Sequence, residues 1–132
     1  MWIYQQATGR IIDEDTGEAV GVGYSGFRDG KNNPSFQQVH SVGPIPCGLY
    51  TIQAPRDTHS HGPFVLPLIP DAENDMFGRD SFLIHGDSVR FPGTASLGCI
   101  IMSRDVRERI WKTGDRRLKV VSGLDEPLSA WT

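Results

Sequence analysis

Signals for tight turns recur along the whole chain and limit what it can fold into. Its 132 residues include 15 glycines and 9 prolines, and many of these stand in dipeptides that favour turns. The dipeptides are Thr8-Gly9, Thr16-Gly17, Asp29-Gly30, Asn33-Pro34, Gly43-Pro44, Gly62-Pro63 and Pro92-Gly93. The intervals between them suit short strands, so we expect a mainly β fold with long surface loops.

Segments with the composition of strands fill these intervals. The first two, 2–6 and 10–12, flank a short turn and predict a hairpin. Further strands are expected at 19–24, 48–53, 64–68, 82–85 and 118–121, and long loops at 26–38 and 55–62. One helix is expected, with Ser103 or Arg104 near its N-cap, Val106 and Ile110 on its apolar face and Gly114 at its end.

Length and charge restrict the domain count and the partners. We expect one domain, 1–132, because a chain of this size can bury a sizeable core. The formal net charge of −3 provides no basic field for phosphate backbones, so no nucleic acid partner is expected. No apolar run approaches the roughly 18 residues that span a bilayer, and residues 1–10 lack the pattern of a signal peptide. Neither a membrane contact nor export directed by this N-terminus is expected.

Two short segments carry the residues suited to catalysis. Segment 82–87 reads FLIHGD and segment 96–101 reads SLGCII. Nucleophilic catalysis by cysteine needs a thiolate, and a nearby imidazole lowers the thiol pKa and returns a proton to the leaving group. These roles suit Cys99 as nucleophile and His85 as base. The plainer interpretation is a core histidine and a buried free cysteine.

Residues around this pair suggest further roles. Gly98 lets the backbone turn sharply, so that the amides of Gly98 and Cys99 can face a developing oxyanion, to which Ser96 adds a hydroxyl donor. Asp87 either orients the imidazole of His85 or caps a turn.

The other cysteine and the remaining histidines suggest less. Cys47 is expected to be structural or superficial, and His40, His59 and His61 to be polar loop residues. No metal and no cofactor are expected.

The pattern of His-Gly followed by Ser-x-Gly-Cys-Ile resembles the active-site signature of the L,D-transpeptidases, the YkuD-like enzymes of peptidoglycan. Segment 42–52, VGPIPCGLYTI, is similar to the segment that opens a strand in that family. The segments that more closely resemble a divergent branch, the Tlde1-type antibacterial effectors of type VI secretion systems, are 24–26, 32–34, 43–46, 75–78, 84–87 and 98–100.

The resemblance implies a fold and an activity. The fold would be an L,D-transpeptidase-like β-sandwich or barrel, with one short helix after the catalytic cysteine. Cys99 would attack the third residue of a tetrapeptide stem, giving L,D-carboxypeptidase activity, D-amino-acid exchange or cross-linking. Tyr24 and Ser25 would line the donor groove, although Tyr24 equally suits strand packing. Common members have a histidine and an arginine where this chain has Leu97 and Ile101, and Arg104 is expected to reach the pocket instead.

The resemblance also implies partners and a place of action. Peptidoglycan stem peptides would be the substrates, and a cognate immunity protein and a secretion carrier the protein partners. Delivery without a classical signal peptide would bring the protein to the periplasm of a target bacterium.

Two alternatives remain beside the transpeptidase. The first is a catalytically inactive module that binds peptidoglycan or a partner, which the intact His85 and Cys99 disfavour. The second is an NlpC/P60-type cysteine peptidase, which normally places its cysteine before its histidine.

Overall fold

The computed structural model describes residues 1–124, so 125–132 of the predicted domain lie outside the described residues. In this part the chain is mainly β, which confirms the predicted fold class. The strands are β1 (Trp2–Gln5), β2 (Arg10–Asp13), β3 (Ala19–Val22), β4 (Tyr24–Ser25), β5 (Gly48–Ile52), β6 (Arg56–Thr58), β7 (Gly62–Pro70), β8 (Leu83–His85), β9 (Ile100–Ile101) and β10 (Arg117–Val121), and the helix is α1 (Arg104–Lys112).

The strands form one mixed sheet that is rolled. Its neighbours follow the order β3-β2-β1-β10-β5-β7-β8-β9-β4, with β6 paired to β7. The two ends of this path are β3 and β4, which only Gly23 separates along the chain, so the ends of the sheet must approach each other. A Cβ on Gly23 would lie 1.6 Å from the carbonyl oxygen of Ile101, and only glycine fits there.

The predicted strands are confirmed in part. The hairpin of β1 and β2 forms as expected, with Tyr4 opposite Ile11. The single strand predicted at 19–24 is wrong, because it breaks at Gly23, whose amide donates to the carbonyl of Gly9. The loop predicted at 55–62 contains β6, whose polar residues show no strand pattern but pair with β7.

Helix α1 begins and ends where the sequence predicted. The Ser103 hydroxyl accepts from the amide of Val106 at the N-cap, and Gly114 with φ of 80° follows the last turn. Its buried residues are Arg107 and Ile110, and it packs against β7 and β8. This helix is too short to cross a bilayer, and no other among residues 1–124 qualifies. Because α1 packs against β8, it covers the strand that carries His85.

Candidate active site

Strand β8 ends at His85, and its neighbour β9 begins immediately after Cys99. The strands are parallel, with Ile84 beside Ile100 and His85 beside Ile101. Ile84 and Ile100 are fully buried, and His85 and Ile101 on the other face are buried as well, so this pairing lies inside the core. Cys99 immediately precedes β9 and lies two residues before Ile101, the residue that pairs with His85. This spacing favours the same side of the sheet for both side chains.

The ring of His85 is oriented by backbone. Its Nδ1 lies 2.8 Å from the carbonyl oxygen of Gly86, and since a carbonyl only accepts, Nδ1 carries the hydrogen. Nε2 is then left with its lone pair. Burial lowers the pKa of His85, and the charges of His61 and Arg107 act in the same direction. His85 is thus a neutral imidazole near pH 7, able to accept a proton through Nε2.

The surroundings of Cys99 favour the protonated thiol over the thiolate. Burial raises its pKa to about 11, although the Leu83 amide and the charge of Arg79 oppose the shift. Sγ lies 3.9 Å from the carbonyl oxygen of Ser81. The pKa lowering expected from a thiolate-imidazolium pair is therefore wrong for this state. The reason is that burial outweighs the neighbouring cations, and His85 is itself uncharged.

Two adjoining cavities contain the pair, and His61 lines both. The first, about 620 Å³, is lined by His85, Gly86, Asp87 and Arg107. The second, about 280 Å³, is lined by Arg79, Ser81, Gly98 and Cys99. The rings of His61 and His85 lie 4.7 Å apart between centroids. His61, predicted to be a polar loop residue, thus belongs to the wall that the two cavities share.

Ser96 and Gly98 build the turn before Cys99. Gly98 has φ of 142°, and a Cβ there would lie 2.5 Å from Nη2 of Arg79, so the position requires glycine. The Ser96 hydroxyl accepts from the amides of Gly26 and Gly98 and donates to the carbonyl of Cys99. The oxyanion roles predicted for Ser96 and for the Gly98 amide are therefore wrong, because the buried hydroxyl occupies that amide.

Ser25, Tyr24 and Asp87 also have structural contacts. Ser25 is fully buried, and its hydroxyl donates to the carbonyl of Gly98 and accepts from the amide of Ile45. The prediction that it lines a groove is therefore wrong. Tyr24 donates to Oδ1 of Asp87 at 2.6 Å.

Asp87 stabilises the loop that follows His85 through hydrogen bonds to its carboxylate. Besides Tyr24, its carboxylate accepts from the amides of Ser88 and Gly93. Of the two roles left open by the sequence, capping a turn is the one that the structure supports. The His85 ring has its contact with Gly86 instead.

Two buried arginines, and not Arg104, reach the cavities. Arg104 is exposed on α1, where it pairs with Glu108 at 3.0 Å and covers the ring of Phe64. The expectation that it enters the pocket is wrong, because the buried face of the helix carries Arg107 one turn later. Arg79 lines the cavity of Cys99. The sequence held a signal for Arg79, since it follows the 75–78 segment of the resemblance.

Cys47 and His59 line neither of these two cavities, whereas His40 lines the cavity of Cys99. The Cys47 thiol donates to Oε1 of Gln6 at 3.4 Å, which agrees with the structural role expected. Neither cysteine forms a disulfide. Within residues 1–124, no group of three or more His, Cys, Asp or Glu side chains is placed to hold a metal ion.

The raised thiol pKa predicts slow alkylation of Cys99. In a Cys47→Ala background at pH 7, iodoacetamide should modify the folded protein roughly 10-fold more slowly than a thiol with a pKa of 9.0, because the smaller thiolate fraction is only partly offset by the higher nucleophilicity of that thiolate. The rate should rise with pH up to about 11. The same chain unfolded in guanidinium is the matched control, read by peptide mapping. Equal rates for the folded and unfolded chains would contradict a raised pKa for the half-buried thiol.

Comparison with known proteins places this site in a family. A model of the Tlde1 domain matches residues 20–123, a range that includes both cavities. The chain belongs to the Tlde1 domain family, a family of type VI secretion effectors that are antibacterial toxins. Members of such a family are secreted to a target cell. Neither a curated protein nor a solved structure gives a significant match to this chain.

Proposed function

We propose that this effector is a peptidoglycan-modifying cysteine enzyme of the L,D-transpeptidase kind, with Cys99 as nucleophile and His85 as base. The observation that carries the proposal is the parallel pairing of β8 with β9, which brings the two side chains to adjoining cavities. The free lone pair of His85 Nε2 is the acceptor that a protonated thiol requires.

Two neutral side chains start the reaction. As the substrate carbonyl of the third stem residue approaches, the Cys99 thiol transfers its proton to Nε2 of His85 and Sγ bonds to the carbonyl carbon. The cost of forming a buried thiolate is avoided because proton transfer accompanies attack. The tetrahedral intermediate then expels the terminal D-alanine, whose nitrogen takes the proton back from His85. A thioester on Cys99 remains.

The second half of the reaction decides the product. Water, a free D-amino acid or the amine of a neighbouring stem attacks the thioester and gives a proton to His85, which passes it to the departing sulfur. The products are a tripeptide, an exchanged tetrapeptide and a cross-link, respectively. Each closes the cycle with the thiol and the imidazole both neutral again.

The substrate fixes the place of action and the partners. Stem peptides lie outside the cytoplasmic membrane, so the effector would act in the periplasm of a target cell. A producing cell would then need a cognate immunity protein, and delivery would need a secretion carrier.

Mass spectrometry of muropeptides tests the proposed activity. Incubation of the purified full chain with tetrapeptide muropeptides should yield tripeptides, and with added D-methionine should yield tetrapeptides that end in methionine. Cys99→Ala protein, checked for folding by circular dichroism, is the matched control. If the wild-type chain leaves muropeptides of every kind unchanged, it is not an enzyme of this class, and a module that only binds becomes the better assignment.

The lowered pKa of His85 predicts the acid limb of the pH profile. The neutral ring is the active form, so kcat/KM should be lost as pH falls through the pKa of His85 in the free protein. Because burial lowers that pKa from 6.5, the midpoint should lie below pH 6.5. Circular dichroism at each pH controls for unfolding. A midpoint above pH 6.5 with the fold intact would exclude His85 as the base in this environment.

A further inference from the structure

Arg107 is a buried cation that forms no ion pair, and Glu108 acts on it only at longer range. Its side chain is 5% exposed, and Nη1 donates to the carbonyls of Pro63 and Phe64, each at 2.9 Å, while Nε makes a longer contact with the carbonyl of Ser103. None of the ion pairs within residues 1–124 includes Arg107. Burial of a charge without a counter-ion is costly, so the position is suited to an anion that arrives from outside.

The Nη2 group of Arg107 is the part left to bind such an anion. A guanidinium has five N–H groups, and no atom of the described residues accepts the two on Nη2. Nη2 lies beside Gly86, where a Cβ would come within 3.0 Å of it. Gly86, Arg107 and His85 line the same cavity. The missing side chain at Gly86 therefore leaves Nη2 accessible next to the base.

The hydrogen bonds of Arg79, the other buried arginine, differ from those of Arg107. Arg79 is equally buried, but its Nη1 and Nη2 donate to four carbonyls, those of Gln37, Gly43, Pro44 and Leu97. Both of its terminal nitrogens are thus occupied by the protein. Arg107 differs because its Nη2 has no acceptor among the described residues, and Arg107 lines a cavity of about 620 Å³.

We propose that Arg107 binds the terminal carboxylate of the stem peptide and so restricts the enzyme to substrates that end one residue after the bond it cleaves. This inference rests on the proposed function. In that reaction the nitrogen of the leaving D-alanine must reach His85, and its carboxylate is only one carbon further. Arg107, on the side of His85, is where that carboxylate lies. A guanidinium also matches a carboxylate in geometry.

Asp87 lines the same cavity but does not compete for Arg107. Its carboxylate is engaged by the hydroxyl of Tyr24 and by the amides of Ser88 and Gly93. The ring of His61 and the guanidinium of Arg107 also act on His85 and lower its pKa, while Asp87 acts in the opposite direction. A substrate carboxylate meets a cation there instead of a second negative charge.

The test compares a tetrapeptide stem that has a free C-terminal carboxylate with the same peptide amidated at that terminus. Wild-type kcat/KM should be roughly 10- to 100-fold higher for the free carboxylate, as for a charge-assisted hydrogen bond. In Arg107→Gln protein the two substrates should be cleaved at nearly equal rates. The substitution removes the ion pair of the free carboxylate, whereas the amidated peptide has no such ion pair to lose. Arg104→Gln, a change on the same helix but at its exposed face, should keep the full discrimination.

The outcomes separate this inference from the proposed function. Equal wild-type rates for the two peptides, or a fall in Arg107→Gln that affects both alike, would overturn the role of Arg107 and leave the enzyme class standing. If Arg107→Gln fails to fold, the wild-type comparison still decides. If the wild-type cleaves neither peptide, the proposed function fails, and calorimetric binding of both peptides to Cys99→Ala protein decides instead. Equal dissociation constants would then overturn the carboxylate site.

Discussion

Replacing Cys99 with alanine is expected to lower kcat by roughly 10⁴-fold or more, because no other group can form the thioester. His85→Ala should lower it by roughly 10²- to 10⁴-fold, the usual contribution of a positioned base. The effect of His85→Ala should be large here because the half-buried thiol has a pKa of about 11 and is scarcely ionised at neutral pH without a base. Steady-state release of D-alanine from tetrapeptide stems is the measurement.

Cys47→Ala is the matched control for both variants. Cys47 is half-buried and contacts Gln6, outside the cavities of His85 and Cys99, so the variant should keep most of the activity. Each protein must first give the wild-type circular dichroism spectrum. Substantial turnover by folded Cys99→Ala would remove the nucleophile assignment, and full turnover by His85→Ala would show that another group takes the thiol proton.

Placing the protein in the periplasm of a Gram-negative host should be toxic, whereas the same protein kept in the cytoplasm should be nearly harmless. Assembled peptidoglycan is available only outside the cytoplasmic membrane. Trimming or exchange of tetrapeptide ends would remove the donors that cross-linking needs, and the cells should swell and lyse. Growth curves with and without a fused cleavable export signal, read beside tetrapeptide and tripeptide levels, provide the measurement.

Cys99→Ala in both locations completes that experiment. The exported variant should restore growth and the normal muropeptide pattern, since its fold is kept and only the nucleophile is lost. Equal toxicity from the cytoplasm, or killing by the exported protein with unchanged muropeptides, would mean that the pair acts on another substrate.

Local patterns in the sequence were enough to predict much of the fold. The β1–β2 hairpin and the Ser103 cap of α1 depend on residues close together in the chain, and both are found where expected. The candidate pair, His85 and Cys99, could also be found from the sequence, because a histidine at a strand end and a glycine before a cysteine are local signals. Their placement in adjoining cavities is a fact of pairing between β8 and β9.

The polar residues around the pair were harder to assign. Hydroxyl groups such as those of Ser25 and Ser96 suit a substrate or a backbone equally well, and only their burial shows that they hold the Gly98 turn. Arg104 and Arg107 are one helical turn apart, so choosing between them requires the packing of α1 on β7 and β8. The position of Arg79 after the 75–78 segment drew attention to it, but its carbonyl partners lie far away in sequence and could not be predicted.

The junction of β4 with β9 is among the shortest pairings in the sheet and lies beside the turn that precedes Cys99. That junction joins Tyr24 to Ile101 and Ser25 to Ile100, two residues on each side, and the Ser25 hydroxyl beside it holds the Gly98 carbonyl. Short strand pairings open at lower free energy than the rest of a domain. On heating or in denaturant, the proposed activity should therefore be lost while the longer strands β5, β7 and β10 are still paired. Loss of activity should be the earliest sign that the junction of β4 with β9 has opened.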